Sequence, residues 1–262
     1  MMMEKGALSW KEFYDLERKE NKDAIHDRIL DAVRKCDRDV LEVVERGGVL
    51  SFPHTALSGS LDPLVKTARA LIESGKRRVL ALAVLHFDDV QDEFSMDGFE
   101  YVLEEMKKEM GVEYPEISIL YPPLSKVDPK DLDDRIRGAV EDGGSIKDML
   151  DGDTALVITG DLCHYGKTYN RTAEVEDVEA RIGEWIEKAL DLIYSSGDVD
   201  AFVKHARTIG NDQWLLNITV RSLMGGDLDY RIFQKKVTDY SRILGEPPPT
   251  VVASYFYGVW RK

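Results

Sequence analysis

The sequence predicts an α/β sandwich, in which helices cover both faces of a mostly parallel or mixed central sheet. Short, almost uninterrupted apolar runs occur at 49–52, 78–85 and 154–159, as expected for strands that are buried on both faces. Segments with helical spacing of apolar residues separate these runs, so strands and helices alternate along the chain. Because no internal repeat or low-complexity linker interrupts the chain, we expect a single domain over 1–262, with 1–22 as an extra N-terminal helical segment.

Turn residues set the bounds of the predicted elements. Helical spacing predicts a first long helix over 23–46, which ends at Gly47-Gly48, and Pro53 stops the strand that follows. The later elements are helices leading to Gly75 and over 99–110, 129–140, 175–194, 199–206 and 213–223, and strands over 78–85, 116–121, 154–159 and 250–259. The N-terminal segment carries aromatic and apolar residues at helical spacing, which predicts a helix packed on the domain: Trp10, Phe13, Tyr14 and Leu16.

Composition limits the partners. The chain has 35 basic and 49 acidic residues and a net charge of −14, and such a surface repels phosphate backbones and anionic lipid. We therefore expect a small-molecule substrate or a peptide as partner, and no nucleic acid and no membrane. No apolar run approaches the roughly 18 residues of a membrane span, and Cys36 and Cys163 are too few for a disulfide framework. A cytoplasmic location is expected, and the sequence leaves the oligomeric state open.

Three histidines follow predicted buried strands: His54, His86 and His164. The loops beyond the carboxyl ends of parallel strands converge on one crevice, so these imidazoles are expected to meet. Gathered neutral imidazoles suit a transition metal or acid/base chemistry. Asp161 stands three residues before His164, and its carboxylate could ligate a metal or hold the imidazole in one tautomer. The alternative for Asp161 is that it caps the following helix.

The segments around these histidines resemble signatures of the MEMO family (mediator of receptor-kinase-driven cell motility). The stretch F-P-H-T-A-L-S-G at 52–59 resembles the family's Pro-His-Ala-Gly…Ser-Gly signature. The stretch G-D-L-C-H-Y at 160–165 resembles its Ser-Ser-Asp-Leu-Ser-His-Tyr motif, and His86 falls where the family has Ser-His-His after a strand. The resemblance extends from about Val49 to the closing strand, about four-fifths of the chain.

The resemblance implies a fold related to the class III extradiol ring-cleaving dioxygenases, whose iron is held by two histidines and a carboxylate. It implies His54 and His86 as metal ligands, and Asp161 and His164 as catalytic residues of the same pocket, with His164 as the acid/base. MEMO proteins complete the metal set with a later cysteine, and the corresponding residues 206–216 contain none. Asp212 is the candidate replacement there, which gives a ligand set suited to non-haem Fe(II). Copper is the alternative cofactor, and loss of the metal is left open.

The expected function is that of a MEMO-like, dioxygenase-like oxidoreductase with one non-haem metal ion (Fe or Cu), acting on a small organic substrate while His164 moves protons. The alternative is a non-catalytic binding protein that uses the same cleft for a peptide or an anionic ligand, with Arg207 and Arg221 reaching its rim. A metal-dependent hydrolase is ranked lower, because further acidic ligands are missing near His54.

Three other residues receive structural interpretations. Cys163 adjoins His164, and a thiol there could be a metal ligand or a redox group. Because adjacent side chains usually point to different sides, the favoured interpretation is a small buried side chain. His26 and His205 lie on predicted helices among charged neighbours and are assigned to surface or packing roles.

Overall fold

The computed structural model describes residues 10–54, 56–84, 95–113, 115–121, 146–171, 177–241 and 248–262. The α-helices are α1 (Trp10–Glu20), α2 (Lys22–Arg34), α3 (Arg38–Glu45), α4 (Leu57–Glu73), α5 (Asp97–Met110), α6 (Ile146–Met149), α7 (Val178–Leu190), α8 (Val199–Ile209) and α9 (Trp214–Met224), and a π-helix at Asp191–Ser196 and a 3-10 turn at Lys167–Tyr169 complete the set within the described residues. The strands are β1 (Val49–Phe52), β2 (Arg78–Leu82), β3 (Glu116–Leu120), β4 (Thr154–Thr159), β5 (Cys163–Gly166), β6 (Leu228–Asp239) and β7 (Thr250–Arg261). The helix predicted over 129–140 lies outside the described residues.

Within the described ranges, seven strands form one mixed sheet. Its order is β3-β2-β4-β1-β7-β5, and β6 also pairs with β7. The pairs β3–β2, β2–β4 and β4–β1 are parallel, whereas β7 runs antiparallel to β1, β5 and β6. The predicted α/β sandwich with a mixed central sheet is therefore confirmed, and β5 and β6 are strands that the sequence analysis missed.

The side chains of the central strands point alternately to the two faces of the sheet, and each face is covered by a layer of helices. In β2, Val79 and Ala81 pack in one apolar cluster with helices α2 to α5. Leu80 and Leu82 point to the opposite face and pack with helices α7 to α9. Successive side chains of a strand point to opposite faces, so an uninterrupted apolar run buries both faces of the sheet. No described helix combines a bilayer-spanning length with a continuous apolar sequence.

The helix predicted over 23–46 is wrong in one respect, because it is two helices. The backbone at Lys35 is extended (φ −140°, ψ 108°), and the side chain of Asp37 accepts a hydrogen bond from the amide of Val40 at 3.5 Å. Asp37 thus caps a new helix, α3. Apolar periodicity continues across this break, whereas a side-chain cap is a local competitor of the helix.

Helix α1 lies within the segment 1–22 that was predicted to be helical, and the carboxylate of Glu17 links this helix to the domain. Glu17 accepts a hydrogen bond at 2.6 Å from the amide of Leu57, the first residue of α4. Ala56 occupies the N-cap of α4 and has no side-chain oxygen to do this. The carboxylate also suits the positive end of the helix dipole. Glu17 therefore fixes α1 beside the segment that leaves β1.

The two central parallel strands bring their carboxyl ends together. Phe52, the last residue of β1, pairs with Thr159, the last residue of β4. The amide of Gly160 donates to the carbonyl of Phe52 at 3.2 Å, which extends the pairing into the loops. His54 and Asp161 each follow their strand by two residues, so the fold itself places them side by side.

Candidate metal centre

Four of the five predicted site residues converge at these strand ends. Nε2 of His54 lies 3.5 Å from Oδ2 of Asp161 and 3.4 Å from Oδ2 of Asp212. Nε2 of His164 lies 3.8 Å from the same oxygen of Asp212. One ligand atom each from His54, Asp161 and Asp212 lies within 4.8 Å of the others. His86 lies outside the described residues, and its role as a ligand stays a prediction.

The separations suit atoms that share a cation. A hydrogen bond between nitrogen and oxygen spans about 2.7 to 3.2 Å, which is shorter than the two contacts of His54. Two ligand atoms that each lie about 2.1 Å from a tetrahedral ion are about 3.4 Å apart. The side chains of His54 and Asp161 are 4% and 3% exposed, and buried carboxylates need a compensating positive charge. The donor set and its spacing therefore fit a divalent metal ion.

Hydrogen bonds orient both carboxylates towards His54. Oδ1 of Asp212 accepts from the amide of Asp161 at 2.7 Å, and the amide of Asp212 donates to the carbonyl of Asp161 at 3.2 Å. Oδ1 of Asp161 accepts from the hydroxyl of Ser254 at 3.2 Å. In each carboxylate, Oδ1 is held by the protein while Oδ2 faces the imidazole. Such outer partners fix the geometry of metal ligands.

Gly160 permits the close approach of Asp212. Its φ is +155°, and a Cβ at this position would lie 2.9 Å from Oδ1 of Asp212 and 2.7 Å from Cβ of Gln213. Only glycine adopts this backbone region readily and leaves the space empty. The reciprocal contact between Asp161 and Asp212 therefore depends on a glycine that precedes Asp161.

His164 lies within a strand, whereas the sequence analysis placed it in a loop. It belongs to β5 and pairs with Val252 of β7. Its Nδ1 lies 2.7 Å from the carbonyl oxygen of Gly210. A carbonyl only accepts, so Nδ1 carries a proton and donates it to this bond, and Nε2 is the ring nitrogen that faces Asp212. The ring of Tyr169 stands edge-on to the imidazole, with centroids 4.9 Å apart.

Cys163 points away from the centre, as the alternation along β5 requires. Its side chain is 1% exposed and packs in the core with helices α7 to α9. Burial raises the pKa of its thiol to about 12. This position supports the interpretation of Cys163 as a small buried side chain.

A buried polar network supports the loop that carries Asp212. The next residue, Gln213, donates from Nε2 to the hydroxyl of Ser51 at 2.8 Å. The hydroxyl of Tyr257 lies 2.7 Å from Oε1 of Gln213 and 2.6 Å from Oδ1 of Asn217. Tyr194 donates to the same oxygen of Asn217 at 2.6 Å. Burial raises the pKa of both tyrosines above the usual range, so both remain neutral donors.

Helix α1 closes one side of the centre, which the sequence analysis did not foresee. Tyr14 and Arg18 of this helix line a small cavity together with His54, Ser60 and Ser95. The cavity volume is about 20 Å³, enough for one water molecule. The helical spacing of the N-terminal residues predicts the helix but carries no information about the surface that it covers.

Tyr14 is the functional candidate that sequence reasoning missed. It packs in a small cluster with Tyr169 and Tyr240. Burial raises its pKa well above the usual value, and the neighbouring Tyr240 and the charge of Asp161 raise it further. The phenol therefore stays protonated and is a hydrogen-bond donor next to the centre.

The other two histidines have partners of their own. Nε2 of His205 lies 2.8 Å from the carbonyl oxygen of Trp185. Nδ1 of His26 lies 3.8 Å from a carboxylate oxygen of Glu109, and its side chain is 45% exposed. These contacts agree with the packing and surface roles expected for them.

Neither models of known protein families nor curated proteins give a match to this chain. The resemblance to the MEMO family therefore stays a prediction that rests on the sequence motifs.

Proposed function

We propose that the chain binds one divalent transition metal ion through His54, Asp161 and Asp212 and acts as a non-haem oxidoreductase on a small organic substrate. The observation that carries the proposal is the convergence of three ligand atoms, from three separate parts of the chain, within 4.8 Å of one another, with both contacts of His54 at the spacing expected around an ion. Imidazole suits iron, copper and zinc alike, whereas the two carboxylates favour the harder Fe(II) over Cu(I), which prefers thiolates. The thiol of Cys163 packs in the core instead, so we favour iron over copper.

Each residue has a separate task in this proposal. His54, Asp161 and Asp212 would hold the ion, and Ser254 keeps the carboxylate of Asp161 oriented. When bound, the ion would supply a Lewis acid for substrate oxygens and dioxygen. His164, which is tied through Nδ1 and directed into the centre through Nε2, holds or moves a proton at Nε2.

The non-catalytic alternative receives less support from the structure. Arg207 and Arg221 are the arginines considered for an anion-binding rim. The guanidinium of Arg207 lies over the ring of Trp214 at 4.9 Å. The guanidinium of Arg221 lies against Gly197, where a Cβ would meet it at 2.7 Å. These contacts engage both arginines in packing.

We propose that this chemistry takes place in the cytoplasm, with a small molecule rather than nucleic acid or a membrane as partner. The net charge of −14 supports the exclusion of polyanions. Both cysteines are free thiols, which fits a reducing compartment.

Anaerobic titration with Fe(II) tests the proposal, with electron paramagnetic resonance of the nitric oxide adduct as the readout of bound iron. The wild type and the control His26→Ala are expected to bind one equivalent, and His54→Ala and Asp212→Asn to bind none stoichiometrically. His164→Ala is expected to keep the iron and to lose oxygen consumption with any small organic substrate that the wild type oxidises. Failure of the wild type to bind Fe(II), copper or zinc would remove the proposal, and an active His164→Ala protein would remove the role of His164.

A further inference from the structure

We propose that Arg171 is a positioning residue that sets the tautomer and the orientation of His164. The functional consequence rests on the proposed function, because His164 acts there as the acid/base. The tautomer itself can be measured without a metal ion, so the two proposals can fail separately.

The guanidinium of Arg171 holds three backbone carbonyls at once. Nε donates to the carbonyl of Thr208 and Nη2 to that of Arg207, both at 3.1 Å. Nη1 donates to the carbonyl of Tyr169 at 2.9 Å. The first two carbonyls belong to the last turn of α8, where helical carbonyls lack partners within the helix. A cation at this end of a helix is also favoured by the helix dipole.

The same guanidinium packs against Gly210, whose carbonyl binds His164. Gly210 ends α8 with a φ of +68°. A Cβ on this residue would lie 2.6 Å from Cζ of Arg171, so the contact requires glycine. The position of the Gly210 carbonyl is therefore set by the planar group that lies on its backbone.

Arg171 is fixed in turn to the strand that carries His164. Its amide donates to the carbonyl of Gly166 at 3.0 Å, and its carbonyl accepts from the amide of Gly166 at 2.9 Å. Gly166 is the last residue of β5, two residues after His164. Arg171 thus connects the strand that carries the imidazole, through its backbone, to the helix end that carries the acceptor, through its guanidinium.

This connection decides which ring nitrogen faces the centre. With the Gly210 carbonyl 2.7 Å from Nδ1, the proton is held on that side and Nε2 is left to face Asp212. Without the guanidinium, the end of α8 and the strand lose their shared anchor, and the carbonyl is free to move from Nδ1. Lysine offers a point charge rather than a planar fork and cannot hold three carbonyls in this arrangement.

The test is two-bond ¹H–¹⁵N correlation spectroscopy of the histidine rings in metal-free protein, which contains only five histidines. The spectra are recorded at a pH at which the histidine rings are neutral, and His164 of the wild type is then expected as the Nδ1–H tautomer alone. In Arg171→Gln, the Nε2–H form is expected to appear as a mixture, and Arg171→Lys is expected to restore the wild-type state only in part. The control Arg207→Gln removes a guanidinium from the same helix end and is expected to leave the tautomer unchanged.

A second variant keeps the test decisive if Arg171→Gln does not fold, as judged by circular dichroism. Arg171→Lys keeps the positive charge without the planar fork, and the Nε2–H form is expected beside the Nδ1–H form in this variant too. A single Nδ1–H tautomer in folded Arg171→Gln, or an equal mixture in Arg207→Gln, would overturn the proposal. A parallel Co(II) titration of the wild type separates this outcome from failure of the metal proposal, since absence of Co(II) binding would leave the tautomer result standing.

Discussion

Replacement of Gly160 by alanine tests how the centre is assembled. The added Cβ would lie 2.7 Å from Cβ of Gln213 and 2.9 Å from Oδ1 of Asp212. Cβ of Gln213 must move by about 0.7 Å before it lies 3.4 Å from the new Cβ, the distance at which ordinary van der Waals contact begins. Because both neighbours belong to one loop, the substitution is expected to push Asp212 away from Asp161 and His54.

Two energetic costs determine how much stability Gly160→Ala is expected to lose. Overpacking of a filled site costs about 1 to 3 kcal/mol. A non-glycine residue at a φ of +155° adds backbone strain of about 1 to 3 kcal/mol. Since partial relaxation reduces their sum, we expect Gly160→Ala to lower the free energy of unfolding by about 2 to 4 kcal/mol. Metal affinity is expected to fall about tenfold or more, as for other losses of ligand orientation.

Urea denaturation measures the stability, and amide hydrogen exchange reports the local change. The amide of Asp161 donates to Asp212 in the wild type and is expected to exchange faster in Gly160→Ala. Gly152→Ala is the matched control, since no atom lies within 4 Å of a Cβ there, and its stability is expected to stay equal or to rise by up to about 1 kcal/mol. If Gly160→Ala matches this control in stability and in exchange at Asp161, the glycine is not what permits the carboxylate pair.

Three further predictions concern the surroundings of the centre. Tyr257→Phe removes a hydroxyl from the buried network and is expected to lower the free energy of unfolding, measured in urea, by about 1 to 3 kcal/mol. The control Tyr230→Phe loses an exposed hydrogen bond and is expected to lose less stability, so equal losses would contradict the role of burial. Glu17→Gln removes the charge that anchors α1, and a loss of about 1 kcal/mol in that contact would make the first amide of α4 exchange about fivefold faster. The same exchange rate in the exposed control Glu20→Gln would argue against the anchor. The Cys163 thiol, with a pKa of about 12, is almost wholly protonated at pH 8 and is expected to react with iodoacetamide only after unfolding. Rapid labelling of Cys163 in the native protein would contradict its burial.

The layered fold could be predicted because its signals are local. Uninterrupted apolar runs such as 78–85 identify strands that are covered on both faces, and the described part of this run is β2. The position of His54 and Asp161 also followed from local signals. Each lies just past a strand, and neighbouring parallel strands bring such loops together.

The missed elements lack a periodic signal of their own. In β6, a bulge between Ile232 and Gln234 shifts the alternation, and much of the strand is only partly buried. The four residues of β5 are too few to show a period, and they form a strand because they pair with β7. The prediction that His164 lies in a loop was wrong for this reason.

Other features of the centre depend on contacts between distant parts of the chain. Asp212 was a candidate only through the family resemblance, because no nearby motif marks it. The network that holds its loop joins Gln213 to Ser51, 162 residues away. The cover that α1 provides depends likewise on the contact of Glu17 with Leu57. No local spacing rule reports such contacts.

The most direct test of the central claim is a crystal structure of protein loaded with Co(II), with anomalous diffraction measured at the cobalt edge. We expect one anomalous peak per chain, about 2.0 to 2.2 Å from Nε2 of His54 and from a carboxylate oxygen of each of Asp161 and Asp212. A cobalt peak elsewhere, or none between these three side chains at saturating Co(II), would contradict it.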